Sequence, residues 1–317
     1  MSPDLPPEIL RAAVAHLAPT VPLLTDLGER FAKGGHDLAL VGGPVRDAFL
    51  GRTSGDLDLT TSASPEETEA ILADWGDAHW DMGREFGTIG ARKGSDTVEV
   101  TTYRADAYDG VTRKPVVAFG DNLEDDLVRR DFTVNAMALR LPDLELVDPC
   151  GGLADLNAGV LRTPVSAEQS FDDDPLRMMR AVRFVAQLGF RIEDATADAI
   201  EQLAERITIV SAERVREELV RLMLGAHPRG GLELVAVVDA LQAPGGEGRA
   251  GQRRRLLHHP FPRRVRALGP DPPCPVHEVG PGGGRAAHAG RVVGVDGRGV
   301  GLGVVEVRGR LVEAPGR

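Results

Sequence analysis

Only two of the 317 residues are cysteine, and aromatic residues make up 4% of the chain. Cys150 and Cys274 are too few for a disulfide framework or a cysteine-ligated zinc site, so no disulfide-linked partner is expected. No uncharged apolar run reaches the roughly 18 residues that a membrane-spanning helix needs, which excludes a helical span. The N-terminus, MSPDLPPEILRAA, has no basic patch followed by an apolar stretch, which argues against a secretory signal. Together these absences predict a cytoplasmic protein with no membrane partner. The formal charge of −11 also excludes a chain that coats nucleic acid by overall Coulomb attraction. What the chain does have is a 42% hydrophobic content, enough for a sizeable core, and no internal repeat.

The average charge hides a break near residue 242. Residues 243–317 hold 13 Arg, no Lys and 6 acidic residues, for a net +7, whereas the first 242 carry −18. Gly and Pro make up over a third of that last segment, a composition that signals disorder rather than a packed core. Two readings of it are open: a disordered basic tail, or a stretch translated out of frame, since it also lacks Ile and Asn. Its adjacent His258-His259 pair has no carboxylate at useful spacing, so no metal site is expected there.

Before the break, local patterns predict an α/β portion to about residue 150 and a helical portion to about 242. Residues 7–33 have apolar side chains at helical spacing, interrupted near Pro19 and Pro22. The run Asp37–Val41 ends at Gly42-Gly43, and Pro44 then begins a short helix to Leu50. Ser64-Pro65-Glu66-Glu67 is a capped helix start, leading to a helix that ends near Trp75. Thr88–Arg92 and Thr97–Tyr103 predict paired strands around a turn at residues 93–96. From Asp172 to about Leu224 the pattern is helical almost throughout.

Three features point to chemistry. In Gly55-Asp56-Leu57-Asp58-Leu59, a strand turns Leu57 and Leu59 inward and both carboxylates the same way. Adjacent carboxylates repel, and a cation between them, Mg²⁺ above all, relieves that repulsion. Glu99, opposite in facing to Val98 and Val100, supplies a third carboxylate for in-line displacement at phosphorus. Second, Val41-Gly42-Gly43-Pro44-Val45-Arg46 places a close-approach turn, a helix start and a fixed cation together, the makings of a triphosphate seat. This turn matches neither GxxxxGK[ST] nor GxGxxG, so it is not a P-loop or a dinucleotide fingerprint. Third, a helix beginning at Asp173-Asp174-Pro175 gathers Met178, Met179, Val182, Val185 and Ala186 on one side, with Asp174, Arg177, Arg180 and Arg183 on the other. Asp174 and Arg177, three apart, offer an acceptor beside a donor. That pattern complements cytosine and adenine and mismatches uracil and guanine. Arg180 and Arg183 remain for phosphates.

These segments resemble the class II tRNA nucleotidyltransferase and poly(A) polymerase family, most of all the bacterial CCA-adding enzymes. The matching motifs are LVGGPVRDAFLGRTSGDLDLTT (40–61), VEVTTYR (98–104), LEDDLVRRDFTVNAMAL (123–139), DPCGGLADLNAGVLRT (148–163), DDPLRMMRAVRFVAQLGF (173–190) and ERVREELVRLML (213–224), in the family's order. The resemblance implies a polymerase-β-like α/β nucleotidyltransferase head followed by an all-α neck. It divides the chain into an N-terminal helical segment (1–36), the head (37–155), the neck (156–242) and the Gly/Pro/Arg-rich tail (243–317). It further implies metal binding by Asp56 and Asp58, with Glu99 as the third carboxylate. Nucleotide contacts fall on Gly43, Arg46, Arg130, Asn135, Asp174, Arg177, Arg180 and Arg183. The implied partners are CTP, ATP and the tRNA 3′ end, and the implied cofactor is Mg²⁺. Asp173 departs from the family's usual Glu, and nothing after residue 242 resembles the body and tail domains that grip tRNA in the family. Alternative readings are a poly(A) polymerase, an enzyme restricted to CC or A addition, and an inactive nucleotide-binding remnant. A small-molecule nucleotidyltransferase fits the head alone, but the base-reading helix argues against it.

Overall fold

A computed structural model describes residues 7–53, 55, 57–107, 116–120 and 122–242. Asp56 and the 243–317 segment, with its histidine pair, lie outside that set. The chain opens with α1 (Pro7–His16) and α2 (Val21–Lys33). Pro22 lies in the first turn of α2, where its missing N–H has no intrahelical partner to lose. Then come β1 (Leu38–Val41), α3 (Gly43–Phe49), β2 (Leu57–Thr61), α4 (Pro65–Trp75), β3 (Ala78–Gly83), β4 (Thr88–Lys93) and β5 (Asp96–Thr102). A ribbon of β6 (Arg104–Ala107) and β7 (Val116–Phe119) leads to α5 (Leu123–Val128), β8 (Ala138–Leu141) and β9 (Glu145–Val147). Beyond them lie α6 (Gly152–Ala158), β10 (Val160–Leu161), α7 (Ala167–Asp173), α8 (Leu176–Leu188) and β11 (Arg191–Ile192). The described chain ends with α9 (Asp194–Leu203), α10 (Ala212–Met223) and α11 (Pro228–Gln242).

Local signals account for many of these boundaries. Ser64 and Glu67 form the expected capping box at the start of α4: the Ser64 hydroxyl accepts from the Glu67 N–H at 3.3 Å, and the Glu67 carboxylate accepts from the Ser64 N–H at 2.9 Å. The β4–β5 turn is tighter than its sequence suggests, because Lys93 and Asp96 still pair and only Gly94-Ser95 connects them. Gly94 makes that corner at φ +62°.

Seven strands form one mixed sheet in the order β3-β4-β5-β2-β1-β8-β9. β2 and β5 run parallel and the other neighbours antiparallel. Leu38, Leu40, Leu57, Leu59, Ile89, Val98 and Val100 point to one face and are fully or almost fully buried. They join the main core with Leu24, Leu27 and Phe31 of α2 and Leu72 and Trp75 of α4. Gly28 lets α2 approach β8, since a Cβ there would stand 2.7 Å from the Leu141 Cβ. The opposite face carries a smaller core at β1 and β8, where Ala39, Val41 and Ala138 meet Tyr103, Leu123 and Leu127. This second face also carries Asp58 and Glu99.

Two expectations need correction. The helical portion is not purely helical: β10 and β11 pair in parallel, Val160 with Arg191 and Leu161 with Ile192. Nor does the arginine-bearing helix begin at Asp173 and take in Asp174 and Pro175. α7 ends at Asp173, Asp174 is extended at φ −141° and ψ 97°, and α8 starts at Leu176. Pro175 is the reason, because its ring excludes the helical conformation from the residue before it.

Candidate active site

β2 and β5 bring the catalytic candidates together. Asp58 and Glu99 are register partners on these parallel strands, hence about 4.8 Å apart in backbone spacing and facing the same way. Both are exposed, between buried neighbours Leu57 and Leu59 on one strand and Val98 and Val100 on the other. Asp56, two residues before Asp58, is not described, and no cluster of three potential metal ligands occurs among the described residues.

The next residue inward on the same face of β2 is Thr60. It is fully buried, so the strand's exposed–buried alternation stops there. Its hydroxyl lies 3.3 Å from Asp126 Oδ2, and Asp126 is itself wholly enclosed. Asp126 accepts from Arg129 Nε and Arg130 Nη2, each at 3.0 Å, and from the Arg104 N–H at 3.2 Å. Burial opposes its charge, but Arg130 and Arg129 outweigh burial and hold the carboxyl below its ordinary pKa. Asp126 thus anchors two arginines on the same sheet face as Asp58. The sequence signal was available: an acid at i−3 and i−4 to Arg129 and Arg130 is helical spacing for ion pairs.

Arg130 continues towards the glycine turn. Gly42 adopts φ +73° and ψ −128°, and a Cβ there would stand 3.3 Å from Arg130 Nη1, so both backbone and space call for glycine. Gly43 opens α3, and Arg46, one turn on, is buried with its Nη1 donating to Asn135 Oδ1 at 2.7 Å. Asn135 Nδ2 donates to Asp131 Oδ1 at 3.0 Å, and Arg180 Nε donates to Asp131 Oδ2 at 2.8 Å. Burial pushes the Asp131 pKa up, yet the Arg180 charge and these hydrogen bonds prevail and lower it. Arg183, 7% exposed, pairs with Glu218 of α10. The guanidiniums of Arg46, Arg180 and Arg183 all stand over the Phe184 ring, at 5.2, 5.7 and 4.1 Å from its centroid. Arg180 and Arg183 therefore sit in a network of buried ion pairs rather than on an open polar face. Asp126, Asp131 and Glu218, which lock these arginines, are the site residues that sequence reasoning missed.

Asp174 and Arg177 lie at the start of α8. Arg177 reaches back across the sequence, donating to the Arg129 carbonyl at 2.7 Å and to Ser170 Oγ at 2.8 Å. It thus contacts the residue next to Arg130, whose guanidinium stands at the glycine turn. Asp174 is held by the Leu176 N–H at 3.1 Å and faces Arg214 at 3.4 Å. The two side chains are neighbours at the helix start, each satisfied by a different partner.

Residues 38–162 match the family model of the poly A polymerase head domain, and residues 189–242 match the probable RNA and SrmB- binding site of polymerase A. The chain belongs to the tRNA nucleotidyltransferase and poly(A) polymerase family. Among relatives, the CCA-adding enzyme of Leuconostoc mesenteroides subsp. mesenteroides is 42% identical over 214 residues, 67% of this chain and 51% of that protein. The Bacillus velezensis CCA-adding enzyme is 39% identical over 231 residues, 72% of this chain and 57% of its own. The crystal structure of the Bacillus stearothermophilus CCA-adding enzyme in complex with CTP superposes with a TM-score of 0.61 at 36% identity, covering 74% of this chain and 56% of that one. The Thermotoga maritima CCA-adding enzyme complexed with tRNA gives a TM-score of 0.60 at 29% identity, over 73% of this chain and 54% of that one. This family member spans about half the length of the curated relatives it matches. Divalent-metal use goes with the family. No helix among its described residues is long and apolar enough to cross a membrane.

Proposed function

We propose that the chain transfers CMP and AMP from CTP and ATP to the 3′ end of tRNA, without a nucleic-acid template, to build or repair the terminal CCA. The observation that carries this reading is the side-by-side placement of Asp58 and Glu99 on one exposed sheet face, with Arg130 and the glycine turn next to them. The relatives named as CCA-adding enzymes, among them the CTP and tRNA complexes, support the same substrates. Two adjacent carboxylates side by side on one sheet face are a fitting donor set for a hard divalent ion. We assign Mg²⁺ to Asp58 and Asp56, with Glu99 as the neighbouring carboxylate. When bound, such an ion acidifies the attacking hydroxyl and neutralises charge at the phosphates.

The chain's own residues then divide the work. Gly42 and Gly43 let the backbone approach the triphosphate, and Arg46 and Arg130 neutralise it. Asn135 and Asp131 keep Arg46 in place, and Asp126 does the same for Arg130. Asp174 and Arg177 read the amino-bearing edge of cytosine or adenine. Arg180 and Arg183 hold the ring of Phe184 and the first turns of α8 behind that reading pair.

Calorimetric titration with each of the four nucleoside triphosphates tests this division. CTP and ATP should bind more tightly than UTP and GTP. Arg177→Ala should reduce that preference by roughly 5–150-fold, the equivalent of the 1–3 kcal/mol that one good polar match to a base supplies. Unchanged preference in that variant would move base reading elsewhere.

A further inference from the structure

In-line displacement puts the attacking hydroxyl and the leaving pyrophosphate on opposite sides of the reacting phosphorus. The triphosphate seat proposed above, Gly42 with Arg46 and Arg130, lies on the β1 side of Asp58. The acceptor end therefore approaches from the other side, across β5, β4 and β3. Leu123 and Leu127 cover the sheet face at β1 and β8, whereas on the half towards β5 and β4 Asp58, Glu99, Thr97 and Arg92 are all exposed.

Two side chains stand out there. Gly90 of β4 is the direct partner of Glu99, and Trp80 of β3 is the direct partner of Gly90. A Cβ at Gly90 would lie 2.1 Å from Trp80 Cε2, so the indole occupies the space above Gly90, immediately beside the Glu99 strand. Trp80 remains partly exposed, unlike Trp75, which is buried in the main core. Arg92, the next residue of β4 on the same face, is exposed and makes no ion pair with the described residues. An aromatic ring next to an uncommitted guanidinium is the combination that holds single-stranded nucleic acid, the ring stacking a base and the cation meeting a phosphate.

We propose that Trp80 stacks the terminal base of the acceptor RNA and that Arg92 contacts a phosphate of the same strand, so that the 3′-hydroxyl is aimed at the space beside Glu99. This positioning role rests on the nucleotidyl-transfer reading, and it is tested by binding, independently of turnover. Fluorescence anisotropy of a short fluorescein-labelled single-stranded RNA is measured with the full chain and its variants, alongside calorimetry with CTP. Trp80→Ala should weaken RNA binding roughly 5–100-fold and leave CTP binding unchanged. Trp80→Phe should recover most of the loss, and Arg92→Ala should reduce the salt dependence by about one counterion. With only two tryptophans in the chain, RNA should also quench the more exposed one in the wild type. Equal RNA affinity in wild type and Trp80→Ala, undetectable RNA binding by the wild type, or a parallel loss of CTP affinity overturns the proposal. A wild type that incorporates no nucleotide, yet loses RNA affinity on Trp80→Ala, sinks the transfer reading and leaves the RNA seat standing.

Discussion

Asp58→Asn should lower nucleotide incorporation by on the order of a thousandfold or more while leaving the fold intact. The side chain is exposed between two core leucines, so its replacement should change stability by no more than about 0.5 kcal/mol. Its loss removes one of two like charges that face each other across β2 and β5. Asp56 and Glu99 without Asp58 make a poorer site for a divalent ion, because affinity for hard cations rises with the number of charged oxygens. Steady-state incorporation with a tRNA lacking its 3′ end, together with thermal melting of the same protein, separates catalysis from folding. Asp56→Ala should behave the same way if Asp56 shares the ion. Full incorporation by Asp58→Asn would refute the metal assignment.

Asp126→Asn should act in the opposite manner, through stability as well as activity. Asp126 is fully buried and holds Arg129, Arg130 and the Arg104 backbone at once. Removing one partner of such a buried pair typically costs about 3–5 kcal/mol, since it leaves uncompensated charge behind. Arg129 and Arg130 keep roughly a fifth of their side-chain surface in solvent (21% and 23%), which places the expected loss at the lower end. The urea midpoint should fall accordingly, and the triphosphate affinity with it, because Arg130 loses its anchor. The sign of the pH dependence follows from the lowered pKa. The stabilisation is complete above the ordinary carboxylate value of about 3.9 and disappears as pH falls through the still lower folded value. The stability gap between wild type and Asp126→Asn should therefore be constant near neutrality and close only in strong acid. A gap that closes near pH 6 would mean that Asp126 is not charged in the way its partners require.

What could be read in the residues was local. The capping box at Ser64, Pro44 at the start of α3 and the Leu57/Asp58/Leu59 alternation each depend on neighbours a few positions away, and each was legible. The placement of Glu99 beside Asp58 needed one further step, the pairing of β2 with β5. Thr60 broke the alternation because Asp126, 66 residues later, closes over it. Arg180 and Arg183 were read as phosphate contacts without their carboxylate partners because those partners are distant: Asp131, 49 residues earlier, and Glu218 on another helix. Asp174 was read into a helix from its acidic neighbours, although Pro175 forbids that conformation to it. Long-range ion pairs carry no periodicity, and that is why the arginine network stayed hidden while the secondary structure did not.

The most direct test of the account is extension of a tRNA that lacks its three terminal nucleotides, with CTP and ATP supplied separately and together. The account predicts extension by CMP with CTP alone, completion by AMP when ATP is added, and no extension by Asp58→Asn. Binding of CTP and ATP without any extension of the RNA would contradict it, and would leave a nucleotide-binding remnant in place of an enzyme.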